Sequence, residues 1–160
     1  MSGHLAAIPY LDRPTDSNKD QVAEIGAIRI HQHATLGMQQ YRLVQNNRGS
    51  AIPNGQLCAF DTGSASKVTL ATAATLMADC AGVAVAEIPD AYWGWVLCRG
   101  QVSADASGTT TAGEFCRPAA GGQVNSDATP SSSVEAAQLI GVWVEGSAGA
   151  GLKTANLSIT

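Results

Sequence analysis

Asp61-Thr62-Gly63-Ser64 is the string in this chain with the form of a catalytic motif. Its letters are those of an aspartic-protease active-site loop, and residues 57–60 supply an apolar strand in front of it. That chemistry needs two carboxylates in one site, so that one holds a proton while the other activates water. The chain has a single Asp-Thr-Gly, so a second aspartate would have to come from another copy, as in a homodimeric protease. Such an enzyme also braces the loop with an apolar-apolar-Gly-Arg sequence. Here Leu139-Ile140-Gly141 runs on into Val142-Trp143, without the arginine. Asp-Thr-Gly-Ser is also a favourable β-turn, and the sequence favours the turn. No catalytic residue is assigned.

Two further residue sets could do chemistry. His31 and His33 flank Gln32, so on a strand both imidazoles would face one side and could begin a metal site. A third ligand would have to come from His4 or a distant carboxylate, and polar-face histidines are the simpler expectation. Four cysteines stand at Cys58, Cys80, Cys98 and Cys116 with no CxxC pair, so zinc-ligand spacing fails. Their neighbours are small or apolar, which predicts reduced, buried thiols acting as small hydrophobes. One or two disulfides are the alternative. No dinucleotide-binding, nucleophile-elbow, zincin or Walker pattern occurs. No cofactor and no metal is expected.

The elements that would position these groups are built from unusual material. The 160 residues are 45% hydrophobic, yet only 5% are aromatic and 14% charged, against roughly 25% charged in typical soluble domains. Small side chains and 17 glycines suit tight turns and close backbone approach better than long amphipathic helices. The net charge is −4, with no cluster of Lys and Arg fit to neutralise phosphates, so nucleic acid is not an expected partner. Neither a run of apolar residues long enough to span a membrane nor a signal-type start is present, so no membrane association is expected. A weakly charged surface lowers the desolvation cost when copies associate.

Along the chain, residues 1–20 read as an extended arm, because Pro9, Pro14 and the polar run at 12–18 interrupt both helix and ladder. Residues 21–160 read as one β-rich domain with a minor subdivision near 70–81. Strand patterns begin from Val22 and include Ile28 and Ile30, residues 40–45 and residues 57–60, with turns at 46–49 and 53–55. Residues 70–80 are balanced between strand and short helix. Later strands are expected at 82–86, 92–98, from Val102, at 114–118, 137–144 and 152–159, with a loop at 120–133. Many short strands with glycine turns predict a small β-barrel or β-tulip-like sandwich.

The candidate interface residues fall in two groups. Strand alternation puts Trp93 and Trp95 on one face, with Tyr92 and Gly94 on the other, and Trp143 lies on the expected central strand at 137–144. Tryptophans are common interface anchors, and at least one of the three is expected at a subunit contact, with a core role the alternative. Leu5, Ile8, Tyr10 and Leu11 give the N-terminal arm its apolar anchors. The arm is either a clamp or a tail.

The segment at 82–102, with Val83-Ala84-Val85-Ala86 followed by Ile88-Pro89 and Tyr92-Trp93-Gly94-Trp95-Val96-Leu97, resembles the capsid decoration (cement) proteins of tailed bacteriophages. Leu139-Ile140-Gly141-Val142-Trp143-Val144 matches a second part of that pattern, beyond a Gly-rich loop. The chain departs from it at Trp93 and Trp143, where smaller residues are usual, and in its cysteines. The resemblance implies a non-enzymatic structural protein of the virion that assembles, often as a homotrimer, on the capsid exterior. There it would brace neighbouring copies of the major capsid protein, after being made in the host cytoplasm. A head-completion or minor tail protein of similar build is the related alternative. A carbohydrate-binding β module, using exposed tryptophans, is the alternative from another class.

Overall fold

The computed structural model describes residues 26–159 and the backbone of residues 17–18. The strands are β1 (Ser17–Asn18), β2 (Ile28–His33), β3 (Gly37–Asn46), β4 (Leu57–Phe60), β5 (Lys67–Leu70), β6 (Cys80–Ala84) and β7 (Trp93–Ala106). After them come β8 (Phe115–Pro118), β9 (Val124–Asp127), the helical turn α1 (Ser133–Ala136), β10 (Gly141–Trp143) and β11 (Gly151–Ser158). Most of the expected arm, and the start of the strand pattern at Val22, lie outside the described residues.

The fold is mainly β, built on one mixed 11-stranded sheet. Its organising element is β7, which is long enough to take different partners along its length. Residues 93–99 pair with β3, and residues 99–106 pair with β11, both antiparallel. On one side the path runs β7–β6–β4–β5–β3 and returns to β7; on the other it runs β7–β9–β8–β10–β11 and returns again. Each circuit includes one short parallel contact. In the first it is Gln45↔Lys67 with Asn46↔Val68, and in the second Ala106↔Val124. The arrangement is thus an extended sheet folded back on one long strand.

The sequence predicts two strands where β7 is one. Arg99-Gly100-Gln101 does not end it, because Gly100 takes φ +107° beside a bulge that a side chain would crowd against the Met38 carbonyl. Opposite this point the register with β3 slips between Gln40 and Tyr41, leaving Cys98 as the extra residue. Cys98 Sγ donates to the Gln40 carbonyl at 3.2 Å.

Other boundaries differ for local reasons. The expected strand at 82–86 is observed as Cys80–Ala84. The expected strand at 137–144 shrinks to Gly141–Trp143, because Ser132 caps a helical turn in front of it by accepting from the Glu135 amide. The expected loop at 120–133 contains β9. Residues 71–79 are neither strand nor α-helix. A turn closed by Thr75 N–H to the Thr72 carbonyl leads into a short 3₁₀ segment at Met77–Asp79.

Burial follows the strand period. Leu43, Leu57, Trp93, Trp95 and Leu97 belong to one core cluster, which continues through Val102, Ala104, Cys116, Ile140, Trp143 and Leu157. Their chain neighbours Val44, Cys58 and Val96 turn the other way, into a second cluster with Ile52, Val68, Ala84 and Ile88. Both faces of these strands are therefore buried, which explains why the central segments read as continuous apolar runs. Gly94 sits directly under Ile88, where a β-carbon would come within 2.8 Å of the isoleucine side chain. No described helix is long and apolar enough to cross a membrane.

Candidate functional site

The residues singled out from sequence divide sharply in the structure. Trp93 and Trp95 stand on β7 and Trp143 on β10. All three are buried in the chain's own first core cluster, at 6%, 5% and 1% exposure. The expected alternation holds, since Tyr92 and Val96 pack with the second cluster on the opposite face. Tyr92 is half-buried; its carbonyl accepts from the Asn46 amide at 2.9 Å. The indole N–H groups of Trp95 and Trp143 are buried without an acceptor among the described residues. Leu5, Ile8, Tyr10 and Leu11 lie outside the described residues. The end of their segment does not: Ser17 and Asn18 pair antiparallel with Gly94 and Trp93, so β1 joins the same strand that carries the tryptophans.

The Asp61 motif is a hydrogen-bonded turn. Ser64 N–H donates to the Asp61 carbonyl at 3.0 Å, and Gly63 takes the positive φ. Both Asp61 carboxylate oxygens are occupied, Oδ1 by the Thr62 amide at 2.9 Å and Oδ2 by Asn47 Nδ2 at 2.7 Å. The turn does line an open groove of about 720 Å³, together with Phe60, Thr69, Thr72, Thr75 and Asp79. Arg42 lies over the Phe60 ring, 5.3 Å from its centroid.

The histidines sit on the β2–β3 hairpin, where His33 Nδ1 accepts from the Thr35 and Leu36 amides at 3.2 Å and so shapes the turn. Among the described residues, no three His, Cys, Asp or Glu side chains gather where they could hold a metal ion. All four cysteines are free and buried. Burial pushes the Cys58 and Cys80 thiols up to about 12, and raises Cys98 and Cys116 as well. These are inert core thiols, not nucleophiles.

A surface the sequence did not single out is the outer face of the β2–β3 hairpin. Ile28, Ile30 and Met38 are exposed there. Ile28 and Ile30 alternate with Arg29 and His31, and alternation ordinarily turns the apolar set inward. Here it is reversed, because the opposite face carries Tyr41 and Gln39, which are buried against the body. Tyr41 Oη donates to Gln39 Oε1 at 2.8 Å, and Gln39 Nε2 donates to the Gln101 carbonyl at 2.7 Å. That chain of hydrogen bonds decides which face of the hairpin looks out.

No family model matches this chain, and no curated protein matches it by sequence. Among solved structures the fold is similar to the N base of the head fiber gp8.5 of bacteriophage phi29. The TM-score is 0.53 at 19% identity, and the match covers 77% of this chain and 97% of that one. At this identity the likeness is one of fold.

Proposed function

We propose that this chain is a non-enzymatic structural protein of a phage virion that assembles with copies of itself on the outer surface of the head. In its finer form the proposal is the cement function: a homotrimer that binds the major capsid protein and stabilises contacts between its subunits. The fold match carries the reading, since nearly the whole of a head-fiber base domain superposes on this chain. The resemblance of residues 82–102 and 139–144 to decoration proteins, drawn from different information, supports it. So do the inert thiols and the turn geometry of Asp61, neither of which is arranged for catalysis. Within this proposal the fold is a β-tulip-like sandwich, with pairing that returns to β7 on both sides.

The same match favours a second reading, in which the domain is the base of a head-attached appendage. The two readings differ in stoichiometry. A cement protein occupies a lattice position repeated over the whole shell, whereas an appendage base occupies a restricted set of sites. Mixing the purified protein with expanded capsids and measuring bound copies per particle separates them. A protein that stays monomeric and leaves capsids bare would overturn both, and glycan binding by that monomer would support a carbohydrate-binding module instead.

A further inference from the structure

Two outward faces of the domain carry exposed apolar side chains, and their charges are opposite. On the hairpin, antiparallel register sets Ile28 beside Arg42, Ile30 beside Gln40 and Gln32 beside Met38 on the outer face. Ile30 and Met38 are each 64% exposed, and Ile28 is 45% exposed. The cation of this outer face is Arg42, beside Ile28 and stacked over the Phe60 ring 5.3 Å from its centroid. β2 also ends the sheet path, paired only with β3 among the described residues.

The second face lies on β10, β11 and β7. Leu152 pairs with Asp105, and Val144 N–H extends the ladder past β10 by donating to the Thr154 carbonyl at 2.9 Å. Leu152, Thr154, Val144 and Asp105 therefore share one side of the sheet, with Leu152 51% and Val144 44% exposed. Glu145 adds its carboxylate at the rim, held by the Thr154 amide and hydroxyl at 2.9 Å. This patch is apolar with two carboxylates, Asp105 bound by Gln56 and Gln123 and Glu145 near Lys153, so it is acidic by one charge, where Arg42 makes the hairpin patch basic by one.

We propose that a second copy of this chain seats its Val144 and Leu152 face on the outer face of the β2–β3 hairpin, in a head-to-tail contact. The proposal rests on the self-assembly reading above. Burial of the isoleucines, Met38, Val144 and Leu152 supplies the non-directional attraction. Asp105 and Glu145 opposite Arg42 set orientation and oppose the hairpin-to-hairpin alternative, which would bring like charges together. Because the two patches differ, an open row of copies leaves one hairpin face unused at one end and one Val144 and Leu152 face unused at the other, and repetition closes a ring when the rotation permits.

The test uses the full chain and two exposed positions, Ile30→Asp on the hairpin and Val144→Lys on the acidic face. Molar mass is measured by light scattering over a concentration series, with thermal melting as a folding check. Either variant should weaken association by on the order of tenfold or more while melting as a folded domain. An equimolar mixture of the two variants should form a dimer, since one intact pair of faces remains, but no closed ring. An oligomer that survives Ile30→Asp, or one that Val144→Lys leaves intact, overturns the head-to-tail contact while leaving self-assembly standing. A wild-type chain that is monomeric throughout overturns self-assembly itself.

Discussion

Asn46 donates from Nδ2 to the Ile88 carbonyl and again to the Ser50 carbonyl, both at 2.8 Å, from a side chain that is almost fully buried. Its Oδ1 accepts from the Arg48 amide at 2.9 Å, and its backbone carbonyl accepts from Ala91 at 3.0 Å. One residue at the end of β3 thus joins the loop carrying Ile52 to the loop carrying Ile88. Those two loops bridge each other at Ile52↔Ile88 and supply the second core cluster with its largest side chains. The amide is fully satisfied, so it organises the core without a desolvation penalty left over.

Asn46→Ala should therefore destabilise the domain by about 1–3 kcal/mol, because the buried Ile88 carbonyl keeps only the Ile52 amide as donor while the part-buried Ser50 carbonyl and the Arg48 amide lose their partner. Asn46→Asp should do no better, since a carboxylate cannot donate to either carbonyl. Urea unfolding of the three proteins checks this; a loss within error of zero would mean that water replaces the amide.

How much of this was readable in the sequence depended on the element. β-Branched and aromatic residues crowd 92–98, and the strand there follows from that pattern. The capping signal Ser132-x-x-Glu135 was present in front of the apolar run at 137–144, and it explains why that run starts as a helical turn. Three features had no local signal. Gly100 continues a strand only because a bulge at Cys98 of its own strand re-aims the chain beside β3. Asn46 reads as the first residue of a turn, and its buried role depends on a carbonyl far along the chain. The outward face of β2 is opposite to what alternation favours, because Gln39 and Tyr41 on the partner strand find buried hydrogen bonds.

The thiols predict an alkaline limit to stability. An unfolded cysteine titrates near its ordinary value of 9.0, while burial keeps Cys58 and Cys80 protonated in the fold up to about 12. Protons are then lost more readily from the unfolded chain, so the stabilisation is complete below pH 9 and declines as pH rises from there toward 12. The slope is about 1.4 kcal/mol per pH unit for each thiol. Melting temperature should be flat from pH 7 to 8.5 and fall above 9, with a shallower fall in Cys58→Ala. In parallel, a thiol reagent at pH 8 should label none of the four cysteines in the native protein and all of them in denaturant. Rapid native labelling would contradict the burial of these groups.

Gly141 opens β10 between two strands, facing Cys116 of β8 and Leu157 of β11. A β-carbon there would collide with the Asn156 carbonyl, which is backbone and cannot rotate away. Gly141→Ala should cost about 3 kcal/mol by forcing β10 off its partners. Gly108→Ala, at a position where a β-carbon meets nothing within 4 Å, is the control and should be close to neutral. Equal melting temperatures for the two variants would show that β11 yields at this point.

The last prediction concerns the segment before β1. Ser17 and Asn18 pair with Gly94 and Trp93 of the same chain, so a truncation that removes them would damage the β7 ladder as well as any arm. Removing residues 2–16 instead takes away Leu5, Ile8, Tyr10 and Leu11 while leaving that pairing in place. Pro9 and Pro14 in the sequence favour extended backbone at low entropic cost, and an extended segment can add main-chain hydrogen bonds to a sheet edge while its apolar side chains fill shallow pockets. One such segment buries little, but repetition around an oligomer and over a capsid multiplies it. If the segment is a clamp, its loss should lower capsid occupancy by tenfold or more, on the order expected for two or three lost apolar anchors, while the domain melts as before. Unchanged occupancy would make residues 2–16 a passenger and leave the binding to the folded domain's own faces.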